Sequence, residues 1–250
     1  MIKVLINGCN GKMGQEVAKE IDNHENLVLI GGFDIKNTGL FTFPVYTDYS
    51  EIEEKPDVII DFSIPIATLN ILEYARQEKI PTVVATTGFK SDESEKIESY
   101  ASYIPIFKAN NMSYDINLMS KTVANLAKHL SNTDIEIIES HHNRKIDAPS
   151  GTAITLADSI NRSLGNSMEY IFDRHSRKEK RQKNEIGFSS IRGGNIVGEH
   201  TVMFIGEHES FEIKHTSFSR SVYADGACKA AEFLVTKDAG LYSMDDLVGE

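Results

Sequence analysis

Short apolar runs followed by helical repeats fill the first half of the chain. Residues 57–62 (DVIIDF) and 82–85 (TVVA) are nearly continuous apolar runs, which is typical of strands covered on both faces of a sheet. The same reasoning predicts further strands at 2–6, 27–33 and 104–109. Apolar residues at helical spacing follow the first of these strands, and a second such segment follows residue 65. This alternation predicts a doubly wound parallel sheet, whose ligand lies at the carboxyl ends of the strands.

The pattern changes after Ser113, which precedes a long amphipathic helix. A strand rich in β-branched residues begins at Asp134, and a second helix is predicted at 151–164. Predicted strands then follow one another at 170–172, 186–191, 201–205 and 211–215. The last two read as a hairpin around residues 206–210. This order predicts an α+β module rather than more strand–helix–strand units.

These patterns divide the chain into two predicted domains of α/β class. A Rossmann-type parallel sheet comprises residues 1–112 and 221–250, where a helical period at 221–234 is expected to return to the first domain. A smaller α+β domain, for substrate binding and oligomerisation, comprises residues 113–220. A chain of 250 residues is long enough for two modest domains with separate cores.

Composition excludes several classes of function. The net charge of −11 gives no overall attraction to nucleic acid or to an anionic membrane, so an anion site must be locally basic. The two cysteines, Cys9 and Cys228, show neither a disulfide framework nor metal-ligand spacing, so no metal is expected. The chain starts in a strand pattern without a cationic leader and lacks a membrane-length apolar run. A cytoplasmic protein is expected.

A glycine-rich turn joins the first strand to the first helix. Gly8, Gly11 and Gly14 have the spacing G-x-x-G-x-x-G, a variant of the dinucleotide fingerprint. In that motif the glycines permit a tight turn, a close approach of backbone amides to pyrophosphate, and close helix packing. A plain glycine turn is the alternative. The predicted cofactor contacts here are Gly8, Cys9, Asn10, Gly11, Lys12 and Met13.

The second predicted strand supports a dinucleotide. It ends at Asp34, about 20 residues beyond the glycine motif, where an acidic side chain binds the ribose hydroxyls. A carboxylate there repels a 2′-phosphate and favours NADH, whereas Lys36 offsets that repulsion and admits NADPH. The prediction is use of both cofactors with some preference for NADH.

Two more strand ends are predicted to reach the same edge of the sheet. We interpret them as walls of the nicotinamide site, with ordinary loop chemistry as the alternative. The residues are Ala85, Thr86, Thr87, Ala109, Asn110, Asn111 and Met112.

A second polar cluster lies at the end of the strand that begins at Asp134. It contains His141, His142, Arg144 and Lys145 and is followed by the predicted helix start. A helix start favours an anion because its first N–H groups are unpaired and its dipole is positive. The cluster therefore predicts a receptor for a small, multiply negative molecule, with a titratable acid beside it. The alternative is a solvated loop followed by an ordinary serine N-cap.

Residues 174–183 (RHSRKEKRQK) form a strongly basic segment in an acidic chain. The simpler interpretation is a solvated loop, which we favour for most of these side chains. The alternative is a segment that raises the local concentration of an anionic substrate.

Residues 139–152 (ESHHNRKIDAPSGT) resemble the E-x-H-H-x-x-K-x-D-A-P-S-G-T signature of the dihydrodipicolinate reductase family. The resemblance extends over the whole chain. It includes the glycine turn and residues 85–88, 111–113, 191–194 and 198–200.

The resemblance implies NAD(P)H-dependent reduction of 4-hydroxy-tetrahydrodipicolinate, or of dihydrodipicolinate, to tetrahydrodipicolinate in the diaminopimelate route to lysine. It implies that His141 is the proton donor and Lys145 its catalytic partner. His142, Ser150, Gly151 and Thr152 would hold the carboxylates of this small substrate. It also implies a homotetramer, with no nucleic acid or membrane partner.

Two other classes of function share part of the pattern. A different two-domain dehydrogenase would share the N-terminal half but is not expected to carry the 139–152 string. A non-catalytic NAD-binding sensor would not need an acid and a cation at one strand end.

Overall fold

The chain divides into two units, and the first of them is built from both ends of the sequence. The computed structural model describes residues 1–130 and 132–249. Unit 1 comprises Met1–Tyr114 and Arg220–Glu250, and unit 2 comprises Asp115–Ser219. Among the described residues, no helix has the length and apolar character required to cross a bilayer.

Twelve strands and seven α-helices make up the described chain. The strands are β1 (Ile2–Asn7), β2 (Leu27–Phe33), β3 (Val45–Tyr46), β4 (Val58–Asp61), β5 (Thr82–Val84), β6 (Pro105–Lys108), β7 (Asp134–His141), β8 (Glu169–Ile171), β9 (Glu185–Arg192), β10 (Gly198–Ile205), β11 (Ser210–Ser217) and β12 (Gly240–Tyr242). The helices are α1 (Lys12–Glu20), α2 (Pro65–Glu78), α3 (Ser91–Ala101), α4 (Tyr114–His129), α5 (Gly151–Ser163), α6 (Ser221–Leu234) and α7 (Met244–Gly249).

Unit 1 contains the predicted parallel sheet. Its seven strands have the order β12-β6-β5-β4-β1-β2-β3, and every neighbouring pair is parallel. Val4 and Ile6 of β1 face a core shared with α1 and α6, whereas Leu5 faces a core shared with α2 and α3. The sheet is therefore covered on both faces, which explains the nearly continuous apolar runs of its strands.

Four elements of unit 1 are missing from the pattern-based prediction: β3, β12, α3 and the six-residue helix α7. Strands β3 and β12 have two and three residues, too few to show a period. Helix α3 is dominated by charged and small polar residues, and only Ile97, Tyr100 and Ala101 of this helix are buried. Its apolar stripe is therefore too sparse to be recognised.

A buried carboxylate holds the carboxyl edge of this sheet together. Asp61, the last residue of β4, is fully buried. Oδ1 accepts hydrogen bonds from Asn7 Nδ2 at 2.7 Å and from Ser63 Oγ. Oδ2 accepts from Thr68 Oγ1 at 2.7 Å and from Thr86 Oγ1 at 2.8 Å. Burial raises the pKa of Asp61, and the four donors oppose that effect.

Unit 2 is the predicted α+β module. Its sheet has the order β11-β10-β7-β9-β8, with β7 and β8 both parallel to β9 and with β10 antiparallel to β7 and β11. The pairing of Ile205 with Ser210 confirms the predicted hairpin. Helices α4 and α5 pack on the sheet face that carries Ile135 and Ile137. That face becomes polar at Glu139 and His141, where the helix-covered core ends.

The arginines of the basic segment make ion pairs with strand ends of unit 2. Arg174 Nη1 and Arg177 Nη1 lie 2.9 and 3.2 Å from the two carboxylate oxygens of Glu185, which is 1% exposed. Arg181 pairs with Asp134 at 2.8 Å and with Glu136 at 3.3 Å. These arginines therefore stabilise the local fold. The hypothesis of an anion-concentrating segment now depends on the exposed residues Lys178, Lys180 and Lys183.

We expect Thr68→Val to lower the free energy of unfolding by about 1–3 kcal/mol, because it removes one hydrogen bond to a buried carboxylate without changing side-chain volume. Thr236→Val is the matched control, since the exposed Thr236 donates only to the carbonyl of Phe233. It should change stability by less than about 0.5 kcal/mol. Urea unfolding followed by circular dichroism measures both. Equal effects would contradict the role of Asp61.

Candidate active site

The glycine turn of unit 1 has the close backbone contacts that the fingerprint requires. Gly8 has φ +80°, and a Cβ there would lie 2.6 Å from the Phe62 carbonyl oxygen. A Cβ on Gly14 would collide with the Gly8 carbonyl oxygen. Glycine is therefore required at both positions by conformation and by space.

The start of α1 is suited to an anion. Its N-cap, Gly11, offers no side chain, and no side-chain hydrogen bond caps the helix. Gly11 and Lys12 are exposed. The first N–H groups of a helix have no intrahelical partner, so they can bind a pyrophosphate approaching this turn. The backbone cradle and the uncapped helix start together fit a dinucleotide.

Asp34 ties the glycine turn to the end of β2. Its carboxylate accepts hydrogen bonds from Asn10 N at 2.9 Å and from Ile35 N at 2.8 Å. Asn10 Nδ2 in turn donates to the Lys36 carbonyl at 2.8 Å. Each carboxylate oxygen retains a lone pair for a further donor such as a ribose hydroxyl. The predicted ribose-side and phosphate-side residues are therefore in direct contact.

The remaining predicted cofactor residues also follow strand ends of this sheet, but their side chains differ in access. Cys9 and Met112 belong to the apolar core, and Thr86 is buried and donates to Asp61. Thr87 and Asn110 are exposed. Contacts of Cys9 and Met112 with a ligand would therefore be made by backbone atoms.

The second cluster is centred on His141, the last residue of β7. His141 Nδ1 lies 2.6 Å from Glu139 Oε2. Arg192 donates to both oxygens of the same carboxylate, at 2.8 Å from Nη1 and 2.7 Å from Nη2. The register of the sheet brings these three residues together. Arg192 of β9 pairs with His141 of β7, and Glu139 lies two residues before His141 on the same face.

Ser150 joins this cluster to the helix start. It is the N-cap of α5, and its Oγ accepts from Ala153 N at 3.2 Å and lies 2.9 Å from His200 Nε2. Its own N–H donates to Glu139 Oε1 at 3.3 Å. Ser150 is 2% exposed and caps α5, and its predicted contact with a substrate carboxylate stays a prediction. The N–H groups at the start of α5 are also suited to an anion.

Two further predicted residues follow His141 in the loop. Lys145 Nζ pairs with Asp147 Oδ1 at 2.8 Å. The side chain of Asp147 is 57% exposed, so this pair is weak and a ligand carboxylate can replace it at little cost. His142 Nδ1 is buried and has no hydrogen-bond partner within the described part of the chain. A buried nitrogen without a partner in the protein is suited to a polar ligand.

Burial and the neighbouring hydrogen bonds and charges shift three pKa values in this cluster. Burial lowers the pKa of His141, and the Glu139 carboxylate only partly offsets this effect. Burial alone would raise the pKa of Glu139, but hydrogen bonds from Arg192, Ser190 and His141 hold it at about 2. Burial, with a smaller contribution from His141, lowers the pKa of His200 to about 4. Near pH 7 the ionised form of Glu139 and the neutral rings of His141 and His200 are therefore favoured.

The sequence analysis assigns no role to Glu139, Arg192, His200 or Asp61. A strand period places Glu139 on the same face as His141, so that neighbour could have been found. Arg192 and His200 reach the cluster only through the pairing of β9 and β10 with β7, which no local pattern reveals.

Comparison with known proteins gives one family over nearly the whole chain. Residues 2–112 match the family model described as dihydrodipicolinate reductase, N-terminus, and residues 115–248 match the one described as dihydrodipicolinate reductase, C-terminus. A protein of Caldanaerobacter subterraneus subsp. tengcongensis, named 4-hydroxy-tetrahydrodipicolinate reductase, is 48% identical over 99% of this chain and 98% of its own. One of the same name from Clostridium novyi is 42% identical over the same shares.

Solved structures give the same fold. The dipicolinate-bound dihydrodipicolinate reductase of Paenisporosarcina sp. TG-14 has a TM-score of 0.82 at 26% identity and covers 97% of both chains. A probable dehydrogenase of Thermotoga maritima has a TM-score of 0.63 at 10% identity, over 99% of this chain and 93% of that one. The latter likeness concerns the fold alone.

We expect His200 to make stability depend on pH. Its pKa is about 4 in the folded chain and about 6.5 when unfolded, so its full contribution is present above pH 6.5 and is lost as pH falls through 4. Between pH 7 and pH 5, His200 alone should lower the free energy of unfolding by about 2 kcal/mol. His200→Gln should therefore flatten the fall in unfolding free energy, measured by urea titration at both pH values. His175→Gln, in an exposed loop, is the control; an unchanged slope in His200→Gln would refute the assignment.

Proposed function

Because the chain belongs to the dihydrodipicolinate reductase family, we propose that it reduces 4-hydroxy-tetrahydrodipicolinate, or its dehydrated form, to tetrahydrodipicolinate with NAD(P)H. The observation that carries this assignment within the structure is the meeting of His141, Lys145 and the start of α5 at one end of β7. A proton donor, a cation and helix N–H groups together suit a cyclic dicarboxylate that takes up a hydride. The relative with bound dipicolinate supports a small dicarboxylate as the ligand.

Unit 1 is proposed to hold the dinucleotide. The uncapped start of α1 binds the pyrophosphate, and Asp34 binds the ribose hydroxyls. Residues 85–87 and 109–112, which follow β5 and β6, are proposed to contact the nicotinamide half. The reduced nicotinamide supplies the hydride when it is bound.

Unit 2 is proposed to supply the proton and to hold the substrate. As hydride reaches a ring carbon conjugated with the imine, negative charge develops on nitrogen, and His141 neutralises that charge by giving up a proton. Lys145, His142 and the N–H groups of Gly151 and Thr152 bind the substrate carboxylates. Each charge-assisted hydrogen bond contributes about 1.5–3 kcal/mol. Lys145 becomes available as the substrate displaces Asp147.

The assembly is proposed to be a cytoplasmic homotetramer. The family resemblance supports this assignment, and so does the face of the unit 2 sheet opposite α4 and α5. That face carries Ile138, Met203 and Ile191, the last 51% exposed. A second subunit can cover these apolar side chains, which sedimentation analysis of the purified chain tests.

We expect His141→Gln to lower kcat about 10²–10⁴-fold with little change in substrate KM, because the glutamine amide can donate a hydrogen bond but is too weak an acid to give up a proton near neutral pH. Lys145→Ala should impair both kcat and KM, since a carboxylate partner is lost. Oxidation of NADH with freshly prepared 4-hydroxy-tetrahydrodipicolinate measures both. Near-normal turnover of His141→Gln would remove His141 from the acid role, and no turnover of the wild type would exclude the reductase assignment.

Both cofactors are expected to support turnover, with kcat/KM moderately higher for NADH because Asp34 opposes a 2′-phosphate. Lys36→Ala should lower kcat/KM for NADPH more than for NADH. Lys19→Ala is the matched control, since Lys19 pairs with Glu16 on the surface of α1. A large preference of the wild type for NADPH would contradict this assignment.

A further inference from the structure

Glu139 has no role in the proposed chemistry, yet it is hydrogen-bonded to His141, Arg192 and Ser150 of the candidate site. The residue is 1% exposed. Oε2 faces His141 Nδ1 and Arg192 Nη1, and Oε1 faces Arg192 Nη2 and Ser150 N. We propose that Glu139, clamped by Arg192, is a positioning residue that holds His141 as its Nδ1–H tautomer and leaves Nε2 for proton transfer to the substrate. This inference rests on the proposed role of His141.

The tautomer follows from the chemistry of the pair. An ionised carboxylate only accepts hydrogen bonds, so the hydrogen in the 2.6 Å contact must lie on His141 Nδ1. In the neutral ring Nε2 is then a bare acceptor, which becomes the donor once it is protonated. A Cβ on Gly198 would lie 3.2 Å from this nitrogen, so the glycine leaves space beside it.

Arg192 prevents Glu139 from taking the proton itself. Its two hydrogen bonds to the carboxylate keep Glu139 ionised. The guanidinium is fixed by further bonds, from Nη1 to the Ile191 carbonyl at 2.7 Å and from Nη2 to the Asp147 carbonyl at 2.6 Å. The carboxylate is therefore rigid, and the orientation of His141 is set before substrate binds.

The charges that face His141 within unit 2 also determine when it is protonated. Glu139 on β7 is balanced by Arg192 on β9, His200 on β10 lies edge-to-face at 5.2 Å between ring centroids, and Lys145 adds a positive charge from the loop. This environment favours the neutral ring in the ligand-free protein. A dicarboxylate adds two negative charges and favours the imidazolium. Proton uptake is thereby coupled to substrate binding.

The test compares Glu139→Gln with Glu185→Gln. Both residues are 1% exposed and each is held by arginine, but Glu185 contacts the basic segment rather than His141. In Glu139→Gln we expect kcat at pH 7 to fall about 10–100-fold, with less than about a threefold change in substrate KM. The loss of kcat at high pH should begin about one pH unit lower, because removal of a neighbouring negative charge favours the neutral imidazole. Glu185→Gln should keep the wild-type pH profile.

Glu139→Asp keeps the charge and separates electrostatics from folding. In Glu139→Asp, the pH at which kcat is half lost should return to the wild-type value even if kcat itself stays lower. Nitrogen-15 NMR of labelled histidines in the ligand-free wild type, with His141→Gln for assignment, should show the Nδ1–H tautomer of His141. An Nε2–H tautomer, or a folded Glu139→Gln with the wild-type pH midpoint, would overturn the inference.

The outcomes also separate this inference from the proposed function. Loss of turnover in His141→Gln with normal turnover in Glu139→Gln refutes only the positioning role. Normal turnover in His141→Gln refutes the acid role, and the positioning role fails with it.

Discussion

A carboxylate buried at or near the end of a central strand organises each unit. Asp61 ends β4, the middle strand of the seven-stranded sheet, and Glu139 lies near the end of β7, the middle strand of the five-stranded sheet. A buried charge is tolerated only when its lone pairs are filled by donors. Both carboxylates therefore draw donors from neighbouring strands and from the following loops. The segments that carry the proposed chemistry are held in place by this requirement.

The two carboxylates meet the requirement differently. Burial raises the pKa of Asp61, and the neutral donors of Asn7, Ser63, Thr68 and Thr86 only partly offset this effect. Glu139 receives a bidentate guanidinium, and its pKa falls to about 2. A neutral cage suits a purely structural role at the edge of the nucleotide-binding sheet. A charge-paired carboxylate that stays ionised near pH 7 suits a position beside a histidine that is proposed to hold and release a proton.

Sequence patterns predict the long elements well because those elements bury apolar residues at a regular spacing. The bounds predicted for the strand at 27–33 and the helix at 221–234 coincide with β2 and α6. Helix α3 is missed because its buried stripe is too sparse. At the site, His141 and Lys145 share a short polar segment and can be recognised locally. Arg192 follows His141 by about fifty positions and reaches it only through parallel pairing of β7 and β9, an outcome of tertiary structure.

The interrupted sequence of unit 1 bears on how the chain is made. Helix α6 supplies Ala224, Ala227 and Leu234 to a core that β1 and β4 begin to form more than 150 positions earlier. A ribosome releases the chain from its N-terminus at about 5–20 residues per second. The continuous unit 2 is therefore fully synthesised while the nucleotide-binding sheet still lacks α6, α7 and the edge strand β12. Until α6 is added, α1 covers only part of that face of the sheet and β6 is an unpaired edge strand, a state in which a nascent chain is more prone to aggregate than the finished unit.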